Sequence, residues 1–73
     1  SNMCLSIPYK IQSIFQNKAI VIAPSVDEKN KTITTDLLPD LKIGDYVLVQ
    51  NNMAIRLIPG KEALEIYKLI NNS

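Results

Sequence analysis

The chain has 73 residues, with eight Lys/Arg, seven Asp/Glu and no histidine, which gives a formal net charge of +1. This length suits one small domain. The interspersed charges argue against the basic stripe that electrostatic nucleic-acid binding needs, and no apolar run approaches the ~20 residues of a membrane helix. A single cysteine cannot form an internal disulfide, which is typical of a cytoplasmic protein. We therefore predict a cytoplasmic domain with no nucleic-acid or membrane partner.

The first residues contain the only cysteine of the chain. Residues 1–2, Ser-Asn, are typical of a remnant of an expression tag, so we assign the single domain to residues 3–73. Cys4 then directly follows the expected natural start, Met3. A lone cysteine is usually a small buried hydrophobic residue, but burial is harder to arrange at a free terminus. Because a thiolate is a nucleophile and a soft metal ligand, we favour a functional role for Cys4.

The first half of the chain predicts three strands. Residues 9–14 partly alternate between apolar and polar side chains, and residues 19–23 are apolar and β-branched. Pro24 ends the second strand. The charged residues 27–31 predict a solvated loop at a hairpin tip, and residues 32–35 resume β-strand character.

The second half predicts two further strands and a helix. Residues 46–50 and 53–58 are separated by Asn51-Asn52, the favoured hairpin length with a residue type that tolerates positive φ. The helix is predicted over about residues 61–71, from an apolar stripe of Ala63, Ile66, Tyr67 and Ile70. These elements predict a mainly β fold: a small, partly open, OB-like five-stranded barrel over about residues 9–58 with a C-terminal helix. An SH3-like barrel is the main alternative.

The sequence offers no catalytic constellation, so we predict that the protein is not an enzyme. The serines have no histidine to activate them, and Asp36 and Asp40 flank a predicted turn at Pro39. One cysteine without histidine cannot supply the four ligands of a structural zinc site. A metal at Cys4 would need other ligands, for example from a partner, which favours a carrier or adaptor.

Two blocks of the sequence resemble a known family. They are residues 3–11, MCLSIPYKI, and residues 36–49, DLLPDLKIGDYVLV, after which Met53, Ala54 and Ile55 continue the pattern. Together they resemble the HypC/HupF family of hydrogenase assembly chaperones, which typically open with Met-Cys, an aliphatic residue, Gly or Ala, an aliphatic residue and Pro. The resemblance covers nearly the whole chain from Met3 onward.

The resemblance implies a non-catalytic role in the maturation of nickel–iron hydrogenase. Family members bind the iron–sulfur scaffold protein HypD, where an iron carrying cyanide and carbon monoxide is assembled, and accompany that iron to the precursor of the hydrogenase large subunit. The resemblance implies that Cys4 is the iron-binding and partner-binding thiol, with no permanently bound cofactor. We expect Leu5, Ile7 and Pro8 to form the apolar surroundings that dock it.

The sequence departs from the family pattern at three positions. Gln50 stands where the family usually has histidine, and glutamine is a poor substitute for imidazole as a ligand or proton carrier. Asn52 replaces a usual glycine, and Ser6 a usual Gly or Ala. Two alternatives therefore stay open: an OB-like nucleic-acid binder, and a generic protein-interaction barrel without a hydrogenase role.

Overall fold

A computed structural model of the protein describes residues 7–24 and 26–71. These residues form five strands followed by one helix: β1 (Tyr9–Phe15), β2 (Lys18–Ala23), β3 (Asp27–Thr34), β4 (Tyr46–Gln50), β5 (Met53–Ile58) and α1 (Gly60–Asn71). The strands make a closed barrel in the order β1-β2-β3-β5-β4. The predicted fold class, a mainly β five-stranded barrel with a C-terminal helix, is confirmed.

The barrel closes through one short parallel contact. All other strand pairs are antiparallel, whereas β3 and β5 meet only at Thr34 and Met53. At this point the Thr34 amide donates a hydrogen bond to the Asn52 carbonyl, with 2.9 Å between nitrogen and oxygen. The sequence predicted a partly open barrel, and the structure instead brings the two strands together at this single pair.

The core of the barrel is built from small and β-branched side chains that alternate along the strands. The buried cluster consists of Ile11, Ala19, Val21, Ile33, Val47 and Ala54. Half-buried side chains from the strands and from the segment between β3 and β4 pack against it, namely Tyr9, Ile14, Leu38, Leu41 and Val49. Successive residues of a strand point to opposite faces, so Ala19 and Val21, two residues apart on β2, are both buried in the cluster.

The prediction of a loop over residues 27–31 is wrong, because these residues form the first part of β3. They pair with β2, with Asp27 opposite Ala23 and Lys31 opposite Val21. The chain reverses earlier, where the Val26 amide donates to the Ala23 carbonyl at 3.0 Å. Strand propensity depends strongly on pairing partners, and β2 supplies a ladder that overrides the polar composition of β3.

The tight turns depend on residues that adopt positive φ. Asn51 and Asn52 have φ values of 54° and 60°, as predicted for a two-residue hairpin. Gly44 has φ of 95°, and a Cβ there would meet nothing within 4 Å. The need for glycine is therefore conformational rather than steric. Ile11 accepts a hydrogen bond from the Gly44 amide at 2.9 Å and donates to the Asp45 carbonyl at 2.8 Å, so this turn continues the β1–β4 pairing.

Helix α1 follows β5 directly and begins one residue earlier than predicted. Its first turn is closed by a hydrogen bond from the Ala63 amide to the Pro59 carbonyl at 3.0 Å. The predicted stripe is confirmed, since Ala63 and Tyr67 are buried and Ile66 and Ile70 are half-buried. Over residues 7–24 and 26–71, no helix combines the length and the apolar character needed to cross a membrane.

Candidate functional site

The predicted partner-binding segment is described only in its second half. Cys4 and Leu5, together with residues 1–3 and Ser6, lie outside the described residues. Ile7 is half-buried, and Pro8 is among the fully buried side chains. The Ile7-Pro8 dipeptide leads directly into β1, so in the sequence it joins the segment that carries Cys4 to the barrel.

Tyr67 of helix α1 binds the backbone of this dipeptide. Its hydroxyl donates a hydrogen bond to the Pro8 carbonyl across 59 residues of sequence. The Tyr67 side chain is buried, at 7% exposure. Its ring packs against Tyr46 of β4, with 6.0 Å between the ring centroids and an angle of 59° between the planes. The C-terminal helix thus holds Pro8, the residue before β1, against the barrel.

A second contact holds the residue that follows Pro8. The Lys31 ammonium lies 5.1 Å from the centroid of the Tyr9 ring and donates a hydrogen bond to the Tyr9 hydroxyl at 3.4 Å. Such a cation–π contact is worth about 0.5–1 kcal/mol at an exposed site. Tyr9 also pairs with Val47 of β4. The chain leaving Pro8 is therefore anchored to both β3 and β4.

Burial changes the acidity of the Tyr67 hydroxyl. Desolvation, with smaller contributions from Tyr46 and Tyr9, raises the pKa of Tyr67 from its ordinary value of 10.0 to about 12. Burial acts in this direction because it disfavours the charged phenolate. At neutral pH the hydroxyl is fully protonated and is available as the hydrogen-bond donor to Pro8.

We expect this pKa to make the protein less stable as pH rises from about 10 to about 12. In that window Tyr67 stays protonated in the folded chain and ionises in the unfolded chain, so the folded state binds more protons and deprotonation favours unfolding. The measurement is urea unfolding at several pH values for the wild type and Tyr67→Phe. The difference in free energy of unfolding between the wild type and Tyr67→Phe should become smaller as pH rises from about 10 to about 12. A difference that stays constant would contradict the prediction.

Gln50 lies at the end of β4, towards the side of the barrel where the chain enters β1. Tyr9 pairs with Val47 in an antiparallel register, and Gln50 is three residues beyond Val47. At about 3.3 Å per residue this is about 10 Å along the strand. Gln50 is exposed. The register thus puts Gln50 at the end of the barrel where Ile7 and Pro8 lead into β1.

Sequence reasoning placed Tyr67 in the apolar stripe of the helix and did not identify its bond to Pro8. The helical stripe predicted that Tyr67 is buried, and a buried tyrosine hydroxyl usually finds a hydrogen-bond partner. That rule signals a partner but does not identify it, since Pro8 is remote in sequence. Within the part of the chain that the structure describes, no three His, Cys, Asp or Glu side chains gather as a metal-binding group.

Comparison with known proteins gives a consistent result. A family model described as the HupF/HypC family matches residues 3–70. The chain is 34% identical over 68 residues to the hydrogenase maturation factor HypC of Azotobacter chroococcum mcd 1, covering 93% of this chain and 79% of the relative.

Two further relatives carry the same name. The protein of Rhizobium leguminosarum bv. viciae is 31% identical over 68 residues, which cover 93% of this chain and 88% of the relative. That of Synechocystis sp. (strain ATCC 27184 / PCC 6803 / Kazusa) is 32% identical over 66 residues, covering 86% of this chain and 87% of the relative. The chain belongs to the HupF/HypC family.

Proposed function

We propose that this protein is a non-catalytic accessory chaperone in the maturation of nickel–iron hydrogenase, acting in the cytoplasm. The observation that carries the proposal is the family match over residues 3–70, which includes Cys4, Ile7 and Pro8. The relatives, named as hydrogenase maturation factors, align with at least 86% of the chain. The family match therefore extends over the whole barrel and all but the last residue of helix α1.

In this proposal Cys4 carries the chemistry. Its thiolate binds iron that bears cyanide and carbon monoxide, a cargo held only in transit and shared with a partner. A soft thiolate is a suitable ligand for such an iron. The partners are a HypD-like scaffold protein, on which the iron unit is assembled, and the precursor of the hydrogenase large subunit, which receives it.

The apolar side chains beside Cys4 form the proposed docking surface. Leu5 and Ile7 follow the thiol closely in sequence, and Pro8 restricts the backbone that precedes β1. Cys4 precedes Pro8 by four residues, so its Cα lies within about 14 Å of that of Pro8. The anchoring of Pro8 by Tyr67 therefore limits the volume that the thiol can reach.

Gln50 lies beside the proposed site, at the position where the family usually has histidine. It lies about 10 Å along the strand from the start of β1. Its amide donates and accepts hydrogen bonds but does not exchange protons as an imidazole does. We propose that iron transfer by this protein needs no proton carrier at this position.

The test is isolation of the complex with its cargo. The chain, produced with its start at Met3, is co-expressed with the HypD-like scaffold of the same source and purified without oxygen. We expect a stable complex whose infrared spectrum contains bands of iron-bound cyanide and carbon monoxide. A complex without these bands would reduce the role to docking, and the absence of a complex would favour a generic interaction module.

A further inference from the structure

We propose that a cleft at the turn between β1 and β2 is a docking site for an arginine side chain on the surface of a partner protein. The cleft has a volume of about 210 Å³ and lies between this turn and the segment that follows β3, residues 35–41. The turn follows Phe15, at the opposite end of β1 from Pro8. The site is therefore separate from the cysteine motif, and the proposal does not depend on the proposed function.

Hydrogen bonds hold the two walls of the cleft together. The Thr35 amide donates to the Asn17 carbonyl at 2.8 Å, and the side-chain amide of Asn17 donates to Oδ1 of Asp36 at 3.4 Å. The Leu38 amide donates to the Thr35 carbonyl at 3.1 Å and so closes the turn that carries Asp36. Because its walls are already joined, the cleft loses little conformational freedom when a ligand binds.

The lining of the cleft combines one negative charge with apolar surface. Of the eight described residues that line it, Asp36 alone is charged. Ile14, Leu38 and Leu41 supply apolar surface, and all three pack against the core of the barrel. Thr35 adds a polar side chain that is only 6% exposed. This combination is complementary to a ligand with an apolar stem and a cationic head.

An arginine side chain has both parts. Its methylene stem packs along apolar surface, and its planar guanidinium donates two parallel hydrogen bonds to a carboxylate. An ionised carboxylate has about four acceptor positions, and the bond from Asn17 uses one of those on Asp36. A calcium ion would need about 6–8 oxygen ligands, so a guanidinium suits this single carboxylate better than a metal ion does.

The size and the surroundings of the cleft favour an arginine that belongs to a protein. Pockets for whole small-molecule ligands measure about 300–1,000 Å³, so a smaller cleft suits a single side chain. The eight described lining residues include no lysine or arginine that could bind the α-carboxylate of a free amino acid. Leu38 and Leu41 also line an adjoining pocket of about 240 Å³, together with the exposed Leu37 and Leu57. Exposed apolar surface of this kind marks interaction sites, and arginine is enriched at protein interfaces.

The experiment titrates the protein with Nα-acetyl-L-arginine amide, which represents an arginine inside a chain, and follows the backbone amide signals by NMR. We expect saturable shifts at Asn17, Thr35 and Asp36, with a dissociation constant on the order of 1 mM. Nα-acetyl-L-citrulline amide has nearly the same shape without the charge and should bind at least tenfold more weakly. Free L-arginine should also bind more weakly than the arginine amide.

Two variants test the role of the carboxylate. Asp36→Asn removes the charge and keeps the shape of the side chain, so it should weaken binding of the arginine amide at least tenfold. Asp40→Asn is the matched control, because it removes the same charge from the same segment but Asp40 lines the adjoining pocket. It should bind within about twofold of wild type. Both side chains are exposed, so both variants should melt as the wild type does.

Several results would overturn the proposal. They are the absence of saturable shifts at about 100 mM arginine amide, shifts confined to other parts of the barrel, undiminished binding by Asp36→Asn, and an equal loss in Asp40→Asn, which would indicate a general charge effect. Equal binding of the citrulline amide would show that the cleft does not recognise a cation, and this comparison needs no variant. Free L-arginine that binds as tightly as the amide would assign the cleft to a small molecule.

Discussion

Replacement of Cys4 by alanine is expected to abolish the infrared bands of iron-bound cyanide and carbon monoxide in the complex with the scaffold. The substitution removes the only thiol of the chain, and no histidine is present to replace it as a ligand. Backbone and carboxylate oxygens are hard ligands that do not suit this iron. We therefore expect the band intensity per amount of protein to be at least tenfold lower for Cys4→Ala than for the wild type. Both complexes are purified without oxygen.

The barrel should be unaffected by this substitution. Cys4 precedes β1, and the buried cluster starts at Ile11, so the melting temperatures of Cys4→Ala and wild type should agree. Ser6→Ala is the matched control, because it removes one polar atom from the same arm and introduces a residue usual in the family. It should retain the bands. Full band intensity in Cys4→Ala would refute the proposed role of the thiol.

The parts of the fold that the sequence predicts well are those fixed by local patterns. The strands predicted over residues 46–50 and 53–58 are rich in apolar side chains and are separated by Asn51-Asn52. The structure gives the same bounds for β4 and β5. The turn sets the first pairs of the hairpin, Gln50 with Met53 and Val49 with Ala54. The helical stripe is equally local, since a period of 3.6 residues brings Ala63 and Tyr67 to one face.

The parts that the sequence does not predict depend on contacts between remote residues. Residues 27–31 have the composition of a loop, and only pairing with β2 makes them a strand. The closure at Thr34 and Met53 joins strands that are far apart in the chain. The bond from Tyr67 to Pro8 is of the same kind. A single sequence reveals that the tyrosine is buried but not which carbonyl it reaches.

The candidate site also contains residues that the sequence identifies and one that only the fold reveals. Cys4, Ile7 and Pro8 are recognisable because they form a continuous motif at one end of the chain. Gln50 is recognisable only by its place in a second motif, and the antiparallel register of β1 and β4 then relates the two ends. Tyr67 carries no motif, and its role follows only from the folded position of helix α1.

Ile33→Ala is expected to cause a large loss of stability. Ile33 is 1% exposed and pairs with Ala19 on β2, one residue before the closure at Thr34. Its neighbours in the cluster include Ala19 and Ala54, which are too small to fill the cavity that alanine leaves. We expect a loss of about 2–5 kcal/mol in the free energy of unfolding.

This loss is large for so small a domain. Native proteins have a free energy of unfolding of about 0.05–0.15 kcal/mol per residue, which gives this chain a total of only about 4–11 kcal/mol. The measurement is urea unfolding of the wild type, Ile33→Ala and Ile20→Ala. Ile20 is the matched control, since it lies on β2 opposite Thr32 and is 37% exposed, so the same truncation leaves a solvated surface rather than a cavity. Ile20→Ala should lower the free energy of unfolding by less than half as much as Ile33→Ala. Equal losses would show that strand propensity, and not the barrel interior, determines the contribution of isoleucine to stability.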